Sequence, residues 1–206
     1  GPVGEIVVKA PEQVRLSAVI HGRAAHAGIA PQEGISAIQI AATAIAGMKL
    51  LRIDDETTAN IGSIRADGPT NIVPDHCELS AEARSTDPAR LAMQVASMRQ
   101  ALEDAAQAAG GRVEISVRSN YRSYRLDPAS EPVRRAGEAA RRLGLNVRHR
   151  STGGGSDANF FNEWGIPTAV ICCGFEKVHT CQERIAVAEL TRLAQWVAAI
   201  LTGAGE

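Results

Sequence analysis

Two features near the C-terminal end are best suited to chemistry: His179, and the glycine run that opens GGGSDAN. His179 follows the apolar run IPTAVICCG, so it sits at the carboxyl end of a sheet strand, where ligands of open α/β sheets gather. A histidine there can bind zinc or carry a proton. A plain surface histidine before a helix fits the same local sequence. Cys181, two residues on, is read as structural, because that spacing without further ligands makes no site. Gly153, Gly154 and Gly155 let backbone amides approach a ligand with no Cβ intervening. Ser156 or Asp157 can cap the helix that follows and aim its amide end at a carbonyl or carboxylate. Tight strand-to-helix packing is the competing explanation for the glycines. His26 in GRAAHAG, Asn71 in TNIVP and Arg84 near a strand end supply an imidazole, an amide and a guanidinium. These are suitable donors for an oxyanion and a substrate carboxylate. Singly, each also fits a plain role as loop bond, turn residue or surface charge. His21, His76 and His149 occupy strand patterns and carry no other signal.

The elements that must position these residues follow from periodicity. Residues 4–10 read as a short strand ending at Pro11. In QVRLSAVIHG, Val14, Leu16, Ala18 and Ile20 share one face, as a half-exposed strand requires. A turn-rich loop over 22–34 leads to ISAIQIAATAIAGMKLL, whose apolar spacing is helical. TANIGSIRA and HCELSAEARS are strands either side of DGPTNIVPD. Asp87 before Pro88 marks a capped helix start, and Gly110-Gly111 its stop. RVEISVRSNY closes the series. The order β-α-β-β-α-β over residues 12–123 predicts a ferredoxin-like unit with a four-stranded antiparallel sheet and two helices on one face. An edge strand and an outer helix face would remain for a second subunit. Beyond residue 124, EPVRRAGEAARRLG predicts a helix, LNVRH a strand, 157–164 a helix, IPTAVICCG a central strand buried on both faces, and VAELTRLAQWVAAILTG a last helix. The fold class is α/β, with residues 1–11 and 124–206 forming one domain and 12–123 inserted in it.

Composition narrows the function. A net charge of -1 gives no reason to expect nucleic acid as a partner. The arginines of RRAGEAARRLGLNVRHR alternate with apolar residues as on a solvated helix face. No apolar run reaches the ~18 to 20 residues of a membrane span, and no secretory segment is evident. Cys77, Cys172, Cys173 and Cys181 form no CxxC pair, which suits reduced thiols and a cytoplasmic location. Aromatics make up only 3%, so the core must rest on Ala, Ile, Val and Leu.

Four linked motifs, GRAAHAGIAPQEGISAI, TTANIGSIRADGPTNIVPDHCELSAEARS, GGGSDANFFNEWGIPT and VHTCQERI, together resemble the dinuclear zinc exopeptidases, the family of peptidase T, glutamate carboxypeptidase, aminoacylase and diaminopimelate desuccinylase. The likeness is greatest to its peptidase T-like branch. The resemblance implies a zinc-binding α/β catalytic domain with an inserted ferredoxin-like dimerisation domain, and peptide or N-acyl amino acid substrates. It implies that His179 is the last zinc ligand and that His26 reaches the partner subunit's active site, there stabilising the tetrahedral intermediate. Asn71 and Arg84 would bind the substrate's carbonyl or carboxylate end, and Gly153, Gly154, Gly155 and Ser156 would border it. The family's other zinc ligands and its glutamate base belong to an upstream half, and no motif of this chain matches them. A catalytic zinc needs about three protein ligands. The expectation is therefore the C-terminal part of a two-zinc peptidase, homodimeric through residues 12–123, with weak or absent zinc binding and no activity alone. The alternative is a naturally truncated dimerisation or regulatory module.

Overall fold

The computed structural model of the chain describes residues 1–203. They fall into two compact units, one of Gly1–Pro11 with Ser123–Glu206, the other Glu12–Arg122. The first strand, β1 (Glu5–Ala10), belongs to the former.

The second unit contains β2 (Glu12–His21), α1 (Ala37–Gly47), β3 (Leu51–Arg52), β4 (Thr57–Arg65), β5 (His76–Ser85), α2 (Pro88–Ala108) and β6 (Arg112–Tyr121). The sheet runs β3-β4-β5-β2-β6, with all its pairs antiparallel. Apart from β3, this is the expected ferredoxin-like arrangement. The four strands expected are five, because Leu51 and Arg52 pair with Ala59 and Thr58. A two-residue strand has no alternation to betray it. Val14, Leu16, Ala18 and Ile20 face the helices and are buried, as are Cys77, Leu79, Ala81 and Ala83 of β5. Asp87 caps α2 by accepting from Ala89 N at 2.8 Å and Arg90 N at 3.3 Å. Gly110, at φ 72°, ends it, a left-handed turn that glycine adopts without strain.

The first unit continues with β7 (Tyr124–Arg125), α3 (Glu131–Arg142), β8 (Arg148–Ser151), α4 (Asp157–Glu163), β9 (Val170–Ile171) and α5 (Val187–Thr202). β8 runs parallel to β1 on one edge. On the other edge β9 pairs antiparallel with Ile6 and Val7, and β7 with Lys9 and Ala10. Trp196, fully buried, ties α5 to α3 by donating its indole N–H to Ala136 O at 2.9 Å.

Two strand expectations shift here. The LNVRH strand begins later, at Arg148, because the chain is still leaving α3 through Gly144 at φ 68°. The central strand expected over IPTAVICCG is only two residues, half-buried and paired on one edge. Apolar residues beside it stay at the surface: Ile166 is 54% and Trp164 67% exposed. No helix of the described residues is long and apolar enough to cross a membrane.

Candidate functional site

The loop after β2 and the loop before β5 are zipped together by backbone bonds. Gly22 N donates to Asp75 O at 2.8 Å, Ala27 N to Asn71 O at 2.9 Å, and Val73 N to Ala25 O at 2.9 Å. His26 and Ile72 form a bridge pair. Gly22 also lets the loop after β2 fold back on itself, since a Cβ there would lie 1.9 Å from Ile35 O. His26 and Asn71, 45 positions apart in sequence, are thus held side by side at one end of the sheet. Both are exposed. His26 Nδ1 accepts from Gly28 N at 3.2 Å, which leaves Nε2 as the outward nitrogen. An imidazole and an amide so placed can donate to a carbonyl or oxyanion brought to them.

Arg84 stands elsewhere. It lies on the sheet face away from the helices, at the end where β2 begins, opposite Gln13 on one side and Thr58 on the other. It lies eight positions along β5 from His76, next to the Asn71 loop, a span of roughly 27 Å at strand rise. Its guanidinium forks onto Glu82, Nε to Oε1 at 2.8 Å and Nη2 to Oε2 at 3.2 Å. Gln13 also donates to Glu82. Burial opposes the Arg84 charge, but the Glu82 hydrogen bond and the nearby Tyr121 outweigh it and raise its pKa. Glu82 was not foreseen from sequence. Its signal was its position two residues before Arg84, on the same strand face.

In the other unit, the glycine loop and His179 leave the sheet at opposite ends of β1. Thr152 N donates to Lys9 O at 2.9 Å, so the chain enters Gly153 beside the end of β1. Cys172 N donates to Glu5 O and Gly174 N to Gly1 O, each at 2.9 Å, so the chain runs to His179 from the start of β1. The cause is the reversed direction of β9. Gly153, Gly154, Gly155 and Ser156 are exposed. A Cβ on Gly153 would meet nothing within 4 Å, and one on Gly154 only Thr152 Oγ1 at 3.9 Å. Packing within this chain therefore does not demand glycine at those two places. Ser156, rather than Asp157, is the N-cap of α4. The residue that holds it is Asn159, fully buried, whose Oδ1 accepts from Ser156 N and whose Nδ2 donates to Pro11 O, both at 3.0 Å. The Ser-x-x-Asn spacing was the available sign of it.

His179 is exposed, and its imidazole makes no hydrogen bond among the described residues. Cys181 is exposed as well. Among the described residues no group of three or more His, Cys, Asp or Glu side chains is placed to hold a metal ion. His179 fits the donor type of a single zinc ligand, and the described residues fall short of a set.

The model of the peptidase dimerisation domain family matches residues 13–110. Those residues thus resemble an M20 peptidase dimerisation domain. Over its full length it is 43% identical to the protein YqjE of Bacillus subtilis (strain 168), covering 56% of that relative. It is 24% identical over 212 residues to peptidase T of Geobacillus thermodenitrificans (strain NG80-2), covering 98% of this chain and 49% of that one. Among solved structures, aminopeptidase PepT of Bacillus cereus ATCC 10987 superposes with a TM-score of 0.85 at 46% identity, covering 97% of this chain and 54% of that one. A tripeptidase of Staphylococcus aureus gives 0.90 at 44%, covering 97% and 53%. The peptidase T-like resemblance read from the four motifs holds, and so does the fold class. The chain spans about half the length of the curated relatives it matches.

Proposed function

We propose that this chain is the dimer-forming and trailing catalytic part of a zinc-dependent peptidase of the peptidase T type, cleaving peptide or N-acyl amide bonds. By itself it holds no complete site and is inactive. His179 contributes one metal ligand, Gly153 to Ser156 border the substrate, and Arg84 pairs with its carboxylate. The observation that carries this reading is the placement of His26 and Asn71 at one end of a sheet whose other end carries Arg84. One small substrate cannot touch both ends of one copy. Two copies paired edge to edge in antiparallel fashion point their His26 ends in opposite directions, so each reaches toward the Arg84 end of the other.

The face for that pairing is α1 with the open edge of β4. α1 carries no charged residue, yet Ile38 is 43% exposed. Beside it, β4 has no partner among the described residues on its outer edge beyond Ala59, and Ile64 is 48% exposed. α2, on the other flank, shows Arg99, Glu103 and Asp104 to solvent, as a helix without a partner does.

Mixed dimers test the arrangement. In the full-length polypeptide, His26→Ala and Arg84→Ala each abolish activity on a tripeptide. Unfolding and refolding the two variants together yields dimers with one intact composite site, and returns about a quarter of wild-type activity if His26 acts across the dimer. No recovery, with mixed dimers present, refutes action in trans. Tight stoichiometric zinc binding by the present chain alone, measured by calorimetry, refutes the incompleteness of its site.

A further inference from the structure

The segment that carries His179 is built more rigidly than a surface loop needs. Glu176 and Arg184 close its base as an isolated antiparallel pair, Glu176 N donating to Arg184 O at 2.9 Å and Arg184 N back to Glu176 O at 3.2 Å. Their side chains add a second closure, Arg184 Nε and Nη2 each 2.8 Å from Glu176 Oε2. Inside the clasp, Thr180 donates to Lys177 O through its hydroxyl at 2.7 Å and its N–H at 3.2 Å. Lys177 Nζ reaches Gln182 Oε1 at 2.5 Å. Two non-glycine residues within it have left-handed backbones, Lys177 at φ 52° and His179 at φ 63°. L-residues rarely adopt that region, and where they do the surroundings must over-determine it.

At His179 the fixing group is Glu183, whose Oε2 accepts the His179 backbone N–H at 2.8 Å. That bond runs to the main chain and leaves both imidazole nitrogens uncommitted. We propose that Glu183 is the positioning residue for His179. Its carboxylate holds the left-handed turn, inside the Glu176–Arg184 clasp, so that the imidazole is presented outward in one orientation before any ligand arrives. Preorganisation of this kind removes the ordering cost from binding. The inference rests on His179 being a functional ligand, but the loop's construction can be measured apart from that role.

The test is backbone amide exchange by NMR on the present chain, with Glu183→Ala and Glu183→Gln as variants and Cα and Cβ shifts reporting the left-handed backbone. In the wild type the His179 amide is protected. Glu183→Ala accelerates its exchange by about tenfold or more, as loss of a hydrogen bond to a charged acceptor should. Glu183→Gln, which keeps an acceptor oxygen, restores most of the protection. The Trp196 indole and α5 amides stay as in the wild type in all three, separating a local effect from unfolding. Equal and fast exchange at His179 in wild type and Glu183→Ala overturns the proposal. A zinc titration of the full-length polypeptide that leaves the His179 ring resonances unmoved would instead overturn the ligand role, and with it the purpose assigned to the loop, whatever the exchange data give.

Discussion

Replacing Asn159 by alanine should weaken the unit formed by Gly1–Pro11 and Ser123–Glu206 by roughly 3 kcal/mol. The side chain is fully buried and satisfies two backbone groups, Pro11 O and Ser156 N, each at 3.0 Å. Pro11 is itself among the fully buried residues, so its carbonyl is left without water when the amide is removed. An orphaned buried acceptor costs about 1–3 kcal/mol. Losing the bond that fixes the start of α4 adds about 1 kcal/mol. The chain's two tryptophans, Trp164 and Trp196, both lie in this unit. Tryptophan emission during urea unfolding therefore reads this unit alone. With a slope of about 1–2 kcal/mol/M for a unit this size, the midpoint should fall by about 2 M. Asn159→Asp separates the hydrogen bonds from the volume, because it keeps the acceptor for Ser156 but sets a carboxylate against the Pro11 carbonyl. Burial raises the folded-state pKa of that carboxyl above its unfolded value near 3.9. The folded state then holds the proton more tightly. This variant must gain stability as the pH falls through the folded-state pKa, and level off below the unfolded one. A loss below about 0.5 kcal/mol for the alanine variant, within the range of an ordinary surface change, would refute the reasoning.

Tyr124 offers a second test in the same unit. Its ring is buried and its hydroxyl has no partner among the described residues, and burial raises its pKa to about 12. The unfolded chain ionises first, near pH 10, so stability falls as the pH rises above 10. Tyr124→Phe should remove that loss and be neutral or stabilising at pH 7. Wild-type and variant unfolding midpoints that run parallel from pH 7 to 11 would sink this. Thiol reactivity should follow burial: Cys181 is exposed, whereas Cys77 is buried and burial raises its pKa. A coloured disulfide reagent should show a fast phase that Cys181→Ser abolishes, with Cys77 reacting only on unfolding. A fast phase that survives in Cys181→Ser contradicts this order.

The ferredoxin-like unit was legible because each boundary carries its own local cause. Val14 to Ile20 alternate, Asp87 and Pro88 start α2, and Gly110 stops it. Local causes of this kind reinforce the global fold, so reading them one at a time is enough. The two-residue β3 and the shortened β9 were illegible for the opposite reason. What decides them is a neighbouring strand, Thr57–Arg65 for the one and Glu5–Ala10 for the other, and no pattern within the segment records it.

The same limit governs the candidate site, whose residues can be named from sequence while their arrangement cannot. His26, Asn71, Arg84 and His179 are candidates by residue type and setting, and each singly also fits a plain structural role. Which of them meet depends on strand direction, which sequence order does not state. The sequence places Gly153 to Ser156 only 23 positions before His179, yet β9 reverses against β8 and sends them from opposite ends of β1. His26 and Asn71, 45 positions apart, come together because β2 and β5 run antiparallel and both loops fall at one end. Arg84, only 13 positions after Asn71, is carried to the far end by the very strand that joins them. In the proposed dimer, β5 sets the spacing between the His26 end and the Arg84 end of each copy. Shortening β5 and its partners by two residues each should then impair a composite site even if His26, Asn71 and Arg84 all remain.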